Sequence, residues 1–207
     1  MIRFRSRWLA AAALCCALTV APALAAPFNE PVYGYSLDYP DGWRLEKAEG
    51  YTLIFRPPAG EAEEAVSVSI QNRKAPEPAA PKPEKGKKDT KAAPPHSAST
   101  QAAQDMTARY LGEIRKGTQA VVVQREAPFR WGAEDSVIIG RQAVVDFMLD
   151  GIPLRQWAVF LPNPNAPVMH VWILTAPQDS FDRTLPAARQ ILDTLKPAAP
   201  AKGKPTK

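Results

Sequence analysis

The side chains that carry most enzyme chemistry are scarce in this sequence. His96 lies in a stretch of proline, alanine and lysine, and His170 lies in Val168-Met169-His170-Val171-Trp172-Ile173, where a half-buried strand histidine is the plain reading. Neither His-x-x-x-His nor paired cysteine spacing occurs, so a transition-metal site would have to be gathered from scattered carboxylates. Gly34-Tyr35-Ser36-Leu37-Asp38 lacks the closing glycine of a nucleophile elbow and sits in a strand, not at a strand-to-helix turn. No glycine-rich phosphate loop is present. Glu61, Glu63 and Glu64 cluster after Pro57-Pro58-Ala59-Gly60, an exposed turn with nothing to desolvate a carboxyl and tune it for acid–base work. The sequence therefore predicts no catalytic residue, no cofactor site and no metal site, and a protein that is not an enzyme.

Two groups of residues remain as candidates for recognition. Phe129, Arg130 and Trp131 stand in a segment followed by Gly132 and by Glu134-Asp135, and aromatic residues with arginine in a loop are the types enriched at interface hot spots. The alternative is that Phe129 and Trp131 cover one end of a sheet. Tyr39, Pro40, Gly42 and Trp43 read as a structural hairpin signature, with proline presetting φ at the second turn position, glycine accepting φ > 0, and tryptophan anchoring the hairpin against a helix.

The elements that must position these residues follow from periodicity. Residues 32–39 alternate, with Tyr33, Tyr35, Leu37 and Tyr39 on one side, and 43–46 return from the turn. Residues 51–56 and 65–72 follow, the latter setting Val66, Val68 and Ile70 against Ser67, Ser69 and Gln71. A helix is expected over 100–116, capped by Ser99, with Ala103, Met106, Tyr110, Leu111 and Ile114 on its apolar stripe and Gly117 at its end. Strands at 119–125, 136–149, 152–161 and 168–175 come next. Asp150-Gly151 is a strong hairpin signal that sets Phe147 opposite Leu154 and Asp146 opposite Arg155. Phe181, Leu185, Ala188, Leu192 and Leu195 draw a second amphipathic stripe. Pro186 leaves two possible starts, Thr184 as cap or a kinked first turn from Ser180. The expected fold is α+β: an antiparallel sheet of about six to seven strands packed by two main helices, in the order βββ-α-ββββ-α.

The ends set the compartment. Arg3, Arg5 and Arg7 precede an uncharged apolar run over 8–20, and Ala23-Leu24-Ala25 places small residues where a signal peptidase reads them. Residues 1–25 are thus expected to be a cleaved signal peptide of an exported, periplasmic or secreted protein. The run is shorter than the roughly 20 residues of a spanning helix, and no stable membrane insertion is expected after cleavage. Cys15 and Cys16 leave with it, and neither has the leucine and small residue that lipidation requires. The rest reads as one domain over 26–197, interrupted by a disordered Pro/Ala/Lys-rich insertion over 75–98 and followed by a disordered basic tail over 198–207. The formal net charge of +5 is misleading, because the leader, residues 74–91 and the last four lysines account for +10 between them and the remainder carries −5. Nucleic acid is excluded as a natural partner on that distribution.

Tyr35-x-Leu37-x-Tyr39-Pro40-x-Gly42-Trp43 resembles the opening of PsbP-like and DcrB-like domains, and Ile191-Leu192-Asp193-Thr194-Leu195-Lys196 is similar to that family's closing helix. The resemblance implies an α/β/α sandwich and an adaptor, assembly factor or chaperone-like role, with another envelope protein as partner. A binding module for a small apolar or lipid-like envelope ligand, held by Tyr33, Tyr35, Trp157 and Trp172, is the alternative.

Overall fold

The computed structural model describes residues 25–48, 52–58, 65–75, 95–132 and 137–199, without the side chains of 25 and 95–98. The expected leader up to residue 24, most of the insertion, the Glu61–Glu64 turn and the end of the tail lie outside these residues. Among the described residues no helix is long and apolar enough to cross a membrane.

The chain runs β1 (Ala25–Glu30), β2 (Tyr35–Pro40), β3 (Arg44–Ala48), β4 (Thr52–Arg56), β5 (Ser67–Lys74), α1 (Pro95–Gly117), β6 (Gln119–Trp131), β7 (Ile138–Leu149), β8 (Ile152–Pro162), β9 (Val168–Pro177), α2 (Phe181–Thr194) and β10 (Lys196–Pro197). Seven strands make the main antiparallel sheet, in the order β3-β4-β5-β9-β8-β7-β6, and β1-β2-β10 make a small second one. The α+β sandwich expected from the sequence is therefore present, with the difference that the strands form two sheets.

Strand alternation divides the core. Met169, Val171 and Ile173 of β9 join Ala158 and Phe160 of β8 under Ala102, Ala103 and Met106 of α1. Ala143, Val145, Phe147 and Leu154 extend that layer under Leu111. The intervening residues Trp157, Val159, Leu161, Trp172 and Leu174 face the other way, onto Ala188, Ile191 and Leu192 of α2 and Tyr35 and Leu37 of β2. Both faces of β8 and β9 are thus buried, which explains their near-continuous apolar runs.

The Asp150-Gly151 hairpin is as the sequence requires. Both residues have positive φ, 50° and 79°, the signature of a type I′ turn, and Phe147 pairs with Leu154 and Asp146 with Arg155. The latter pair is a fork: Arg155 donates from Nε and Nη2 to the two Asp146 oxygens at 2.6 and 2.8 Å, and Gln124 adds a third bond at 2.9 Å. Those donors hold the Asp146 carboxyl below its ordinary range, the Arg155 hydrogen bond first.

Several boundaries differ from expectation, each for a physical reason. Trp43 donates to the Pro40 carbonyl at 3.2 Å and Gly42 has φ +79°, so Pro40 is the first turn residue and Asp41 the second. The frame is fixed by glycine at the one position demanding positive φ. The turn also does not fold β3 back onto β2, because it passes the chain from the small sheet to the large one. Helix α1 begins at Pro95, so Ser99 lies inside it; proline suits a first helical position. Helix α2 takes the earlier of its two starts, with Ser180 at the N-cap and Pro186 inside. Strand β6 continues to Trp131, past Pro128, which an edge strand tolerates because one side of it needs no ladder bond.

Glycine is required where β7 begins. A Cβ at Gly140 would overlap the Phe160 carbonyl oxygen of the neighbouring strand and crowd Leu161. Gly140→Ala should destabilise the fold by about 2 kcal/mol or more, since backbone has to move, and urea denaturation against wild type measures it. Arg155→Ala should cost about 1–2 kcal/mol, because it leaves a mostly buried carboxylate with Gln124 as its remaining side-chain donor. An Arg155→Ala stability within 0.3 kcal/mol of wild type (roughly the measurement error) would show the fork contributes nothing.

Candidate functional site

The main sheet is broad, and α2 with the small sheet covers its β4, β5, β9 and β8 portion. The α2-side surface of β6 and β7 lies beyond that cover. Directly paired residues share a face, so Phe129 with Gly140 and Trp131 with Ile138 line this strip, and Val144 continues it. Phe129 is 6% exposed and meets Trp157 edge to face at 6.1 Å, which in turn meets Trp172 at 5.1 Å. The Trp157 indole donates to Gln142 Oε1 at 3.1 Å, tying this aromatic row to β7.

Arg189 of α2 closes the strip from above. Its guanidinium stands 5.5 Å from the Phe129 ring centre and 5.4 Å from that of Trp157, while its Nε donates to Asp193 at 2.7 Å. A carboxylate on one edge and two π faces below hold the guanidinium over the rings. Trp131, Ile138, Val144 and Leu185 pack against the core beneath but stay partly exposed.

The predicted trio is therefore split. Phe129, Arg130 and Trp131 belong to a strand rather than a loop, which corrects their placement: Pro128 and the lack of clean alternation hid the continuation of β6. Phe129 is core, Trp131 is half-buried on the strip, and Arg130 is exposed on the opposite side of the strand. The Tyr39–Trp43 signature serves the joint between sheets, with Tyr39 against Phe55 at 5.2 Å and Trp43 partly buried on the same core. Arg189 gave no signal as a site residue, because the approach of a helix residue to two strand rings is fixed only by tertiary packing.

A second polar constellation lies inside the fold. His170 is fully buried, and burial pushes its imidazole down to about 4, so the ring is neutral. Its Nδ1 lies 2.8 Å from Asn72 Oδ1 and its Nε2 3.2 Å from Asn163 Nδ2. The sequence reads His170 as a half-buried strand histidine; the structure buries it fully, because β9 is covered on both faces, and gives it two asparagine partners that the sequence reading does not include. Asn163 had a local cue: its Oδ1 accepts the Asn165 amide at 2.8 Å, an Asx turn of the Pro162–Pro167 loop.

The aromatics proposed to hold a small ligand are used otherwise. Tyr35, Trp157 and Trp172 are buried against one another or against His170. A shallow open cleft lies elsewhere, between α1 and β5, lined by Arg73, Met106, Arg109, Tyr110, Phe160 and Val171, among others. It encloses about 10 Å³, far below the roughly 300–1,000 Å³ of small-molecule pockets. No group of three or more His, Cys, Asp or Glu able to hold a metal occurs among the described residues.

Comparison with known proteins places this geometry in a fold. No family model matches the sequence, and no curated protein does. The structure is similar to cyanobacterial PsbP (CyanoP) from Synechocystis sp., with a TM-score of 0.55 at 14% identity, covering 88% of this chain and 96% of that one. It also aligns with the Ran-binding protein Mog1p of Saccharomyces cerevisiae, with a TM-score of 0.49, 10% identity and coverage of 86% and 97%. LpqN of Mycobacterium tuberculosis, described as involved in cell envelope biogenesis, gives 0.48, 14%, 87% and 87%. The chain has the PsbP-like fold, as the resemblance of its opening motif and closing helix implied.

Arg189→Ala should lower stability by about 1 kcal/mol and change the intrinsic tryptophan emission, because Trp157 loses the cation over its ring. Thermal denaturation with fluorescence detection checks both. An unchanged spectrum and midpoint would mean the guanidinium is not held there in solution.

Proposed function

We propose that the protein is an exported, non-enzymatic cell-envelope adaptor or assembly factor that binds another envelope protein through the α2-side strip of β6 and β7. The observation that carries this reading is Trp131. It is half-exposed at the end of an edge strand, beside Ile138 and Val144, on the stretch of sheet that α2 leaves uncovered. Tryptophan contributes large contact area at little entropic cost, which is why it recurs at interface centres. Phe129 serves as the floor of the site and Arg189 as its rim. Arg130, on the other side of the strand, takes no part in this strip.

Export rests on the positive n-region, apolar run and Ala23-Leu24-Ala25 boundary. The expected cut after Ala25 falls at the first residue of β1, so the mature chain would begin with a strand already paired to β2. The adaptor role rests on the family resemblance and on a sequence without a recognisable catalytic constellation.

The test is an in-cell crosslinking pull-down of the tagged protein, repeated with Trp131→Ala. A specific envelope protein should be enriched with wild type and lost with the variant, while the melting temperature of the variant stays within a few degrees. Enrichment of the same protein by both would remove Trp131 from the interface. No enrichment by wild type would overturn the adaptor reading and leave co-purifying lipid as the next thing to seek.

A further inference from the structure

We infer that His170, Asn163 and Asn72 form an acid-sensitive clasp, which fastens the β1–β2 turn and the chain after β10 to the main sheet and loosens as pH falls. The argument begins with what Asn163 holds. Its Nδ2 lies 3.3 Å from the Tyr33 carbonyl oxygen, 3.1 Å from that of Gly34 and 3.1 Å from that of Ala198. The two held segments are also bonded to each other, the Ala198 amide donating to the Gly34 carbonyl at 2.7 Å. One side-chain amide on the β8–β9 turn thus binds two segments of the chain that lie 35 to 130 residues away from it.

The polarity of the clasp is fixed. Asn163 Oδ1 is occupied by the Asn165 amide, and its Nδ2 is surrounded by three carbonyl oxygens, so the amide group cannot turn over without setting acceptor against acceptor. Nε2 of His170 thus faces a donor and shares the two Nδ2 hydrogens with those carbonyls as an acceptor, which puts the ring's proton on Nδ1, where Asn72 Oδ1 receives it. A second proton would turn Nε2 into a donor aimed at a donor. The closed clasp has no arrangement for a charged imidazole.

Among the described residues no neighbouring charge compensates. The titratable side chain against the ring is Tyr35 of β2, edge-on at 5.0 Å, whose hydroxyl interacts with Asn72 without a well-formed hydrogen bond. Glu30 of β1 and Tyr33 of the turn act on that hydroxyl. The other charged groups on the packed elements are Asp38 on β2, Arg73 and Lys74 on β5, Arg155 on β8, Asp182, Arg183, Arg189 and Asp193 on α2, and Lys196 on β10. Burial alone accounts for the downward displacement of His170.

The direction of the pH effect follows. The opened state, with an ordinary imidazole near 6.5, binds a proton that the closed state refuses until about 4. Closure is complete above 6.5 and is lost progressively between 6.5 and 4. Between pH 7.5 and pH 5 the opening equilibrium should rise about 30-fold at this site.

Amide hydrogen exchange on the full chain, corrected for intrinsic rates, tests the inference at pH 7.5 and 5. The amides of Gly34, Asn165 and Ala198 should gain about 30-fold in opening, beyond any change at Val145 and Gln156 in the β7–β8 hairpin. His170→Gln should abolish that excess. Asn72→Asp keeps the histidine but gives Nδ1 a carboxylate with which a charged ring is stable, so the excess should shrink. Nitrogen shifts of the wild-type ring, which need no variant, should show the Nδ1–H tautomer and no titration above pH 5 (an order-of-magnitude bound). An excess no larger than the hairpin's, one that survives His170→Gln, or an Nε2–H tautomer would each overturn the clasp.

Discussion

A sheet seven strands wide has more face than a pair of helices can cover, and most of what is distinctive here follows from that mismatch. Strands spaced about 4.8 Å apart make a surface about 30 Å across, whereas a helix with its side chains covers about 10 Å. Helix α1 is placed over β7 and β8, where Ala143, Ala158 and Ala103 let the backbones approach. On the other face α2 shares the work with the three-stranded sheet, whose Tyr35 and Leu37 reach the same core as Leu53, Phe55 and Ile70. Among the described residues, what remains uncovered is a stretch at each side: the cleft beside β5 at the flank of α1, and the β6–β7 strip beside α2. Both candidate surfaces are products of one geometric shortfall.

The same arrangement explains why polar residues enter the core. Strand β9 lies at the centre of the large sheet and is buried on both faces, so His170 has no route to water. A buried polar group stabilises a fold only when its bonds are made, and Asn72 and Asn163 supply them from the neighbouring strand and the adjoining turn. The small sheet and the last strand attach to the large sheet at this point. An apolar residue in place of His170 would fill the space equally well but would take from Asn72 Oδ1 the Nδ1–H donor.

How much of this was legible in the sequence depends on whether the signal is local. The β7–β8 register was, because Asp150-Gly151 dictates the turn and period two does the rest. The stripe of α1 from Ala103 to Ile114 and that of α2 were legible for the same reason, since periodicity is visible within one element. Strand β1, Ala-Pro-Phe-Asn-Glu in its core, and the two-residue β10 carry no alternation and exist only because β2 offers them its edges. The continuation of β6 through Pro128 is also set by partner, not by propensity. At the candidate site, Trp131 and Phe129 were recognisable by residue type, but their opposite fates depend on α2 and Arg189. In the His170 clasp Asn163 reaches residues 35 to 130 positions away, and its one local cue, the Asx turn, says nothing of those partners.

Comparing the two half-buried tryptophans sharpens the reading of the strip. Trp43 follows a turn whose shape is imposed by Gly42 and by its own amide's bond to Pro40, and its ring packs where two sheets meet. Its position is over-determined by the fold, so its exposure needs no further explanation. Trp131 ends an edge strand and packs on a floor that Phe129, Trp157 and Arg189 already complete. Removing it would leave those contacts in place. The exposed part of the Trp131 ring is therefore the surface that the proposed interface would bury.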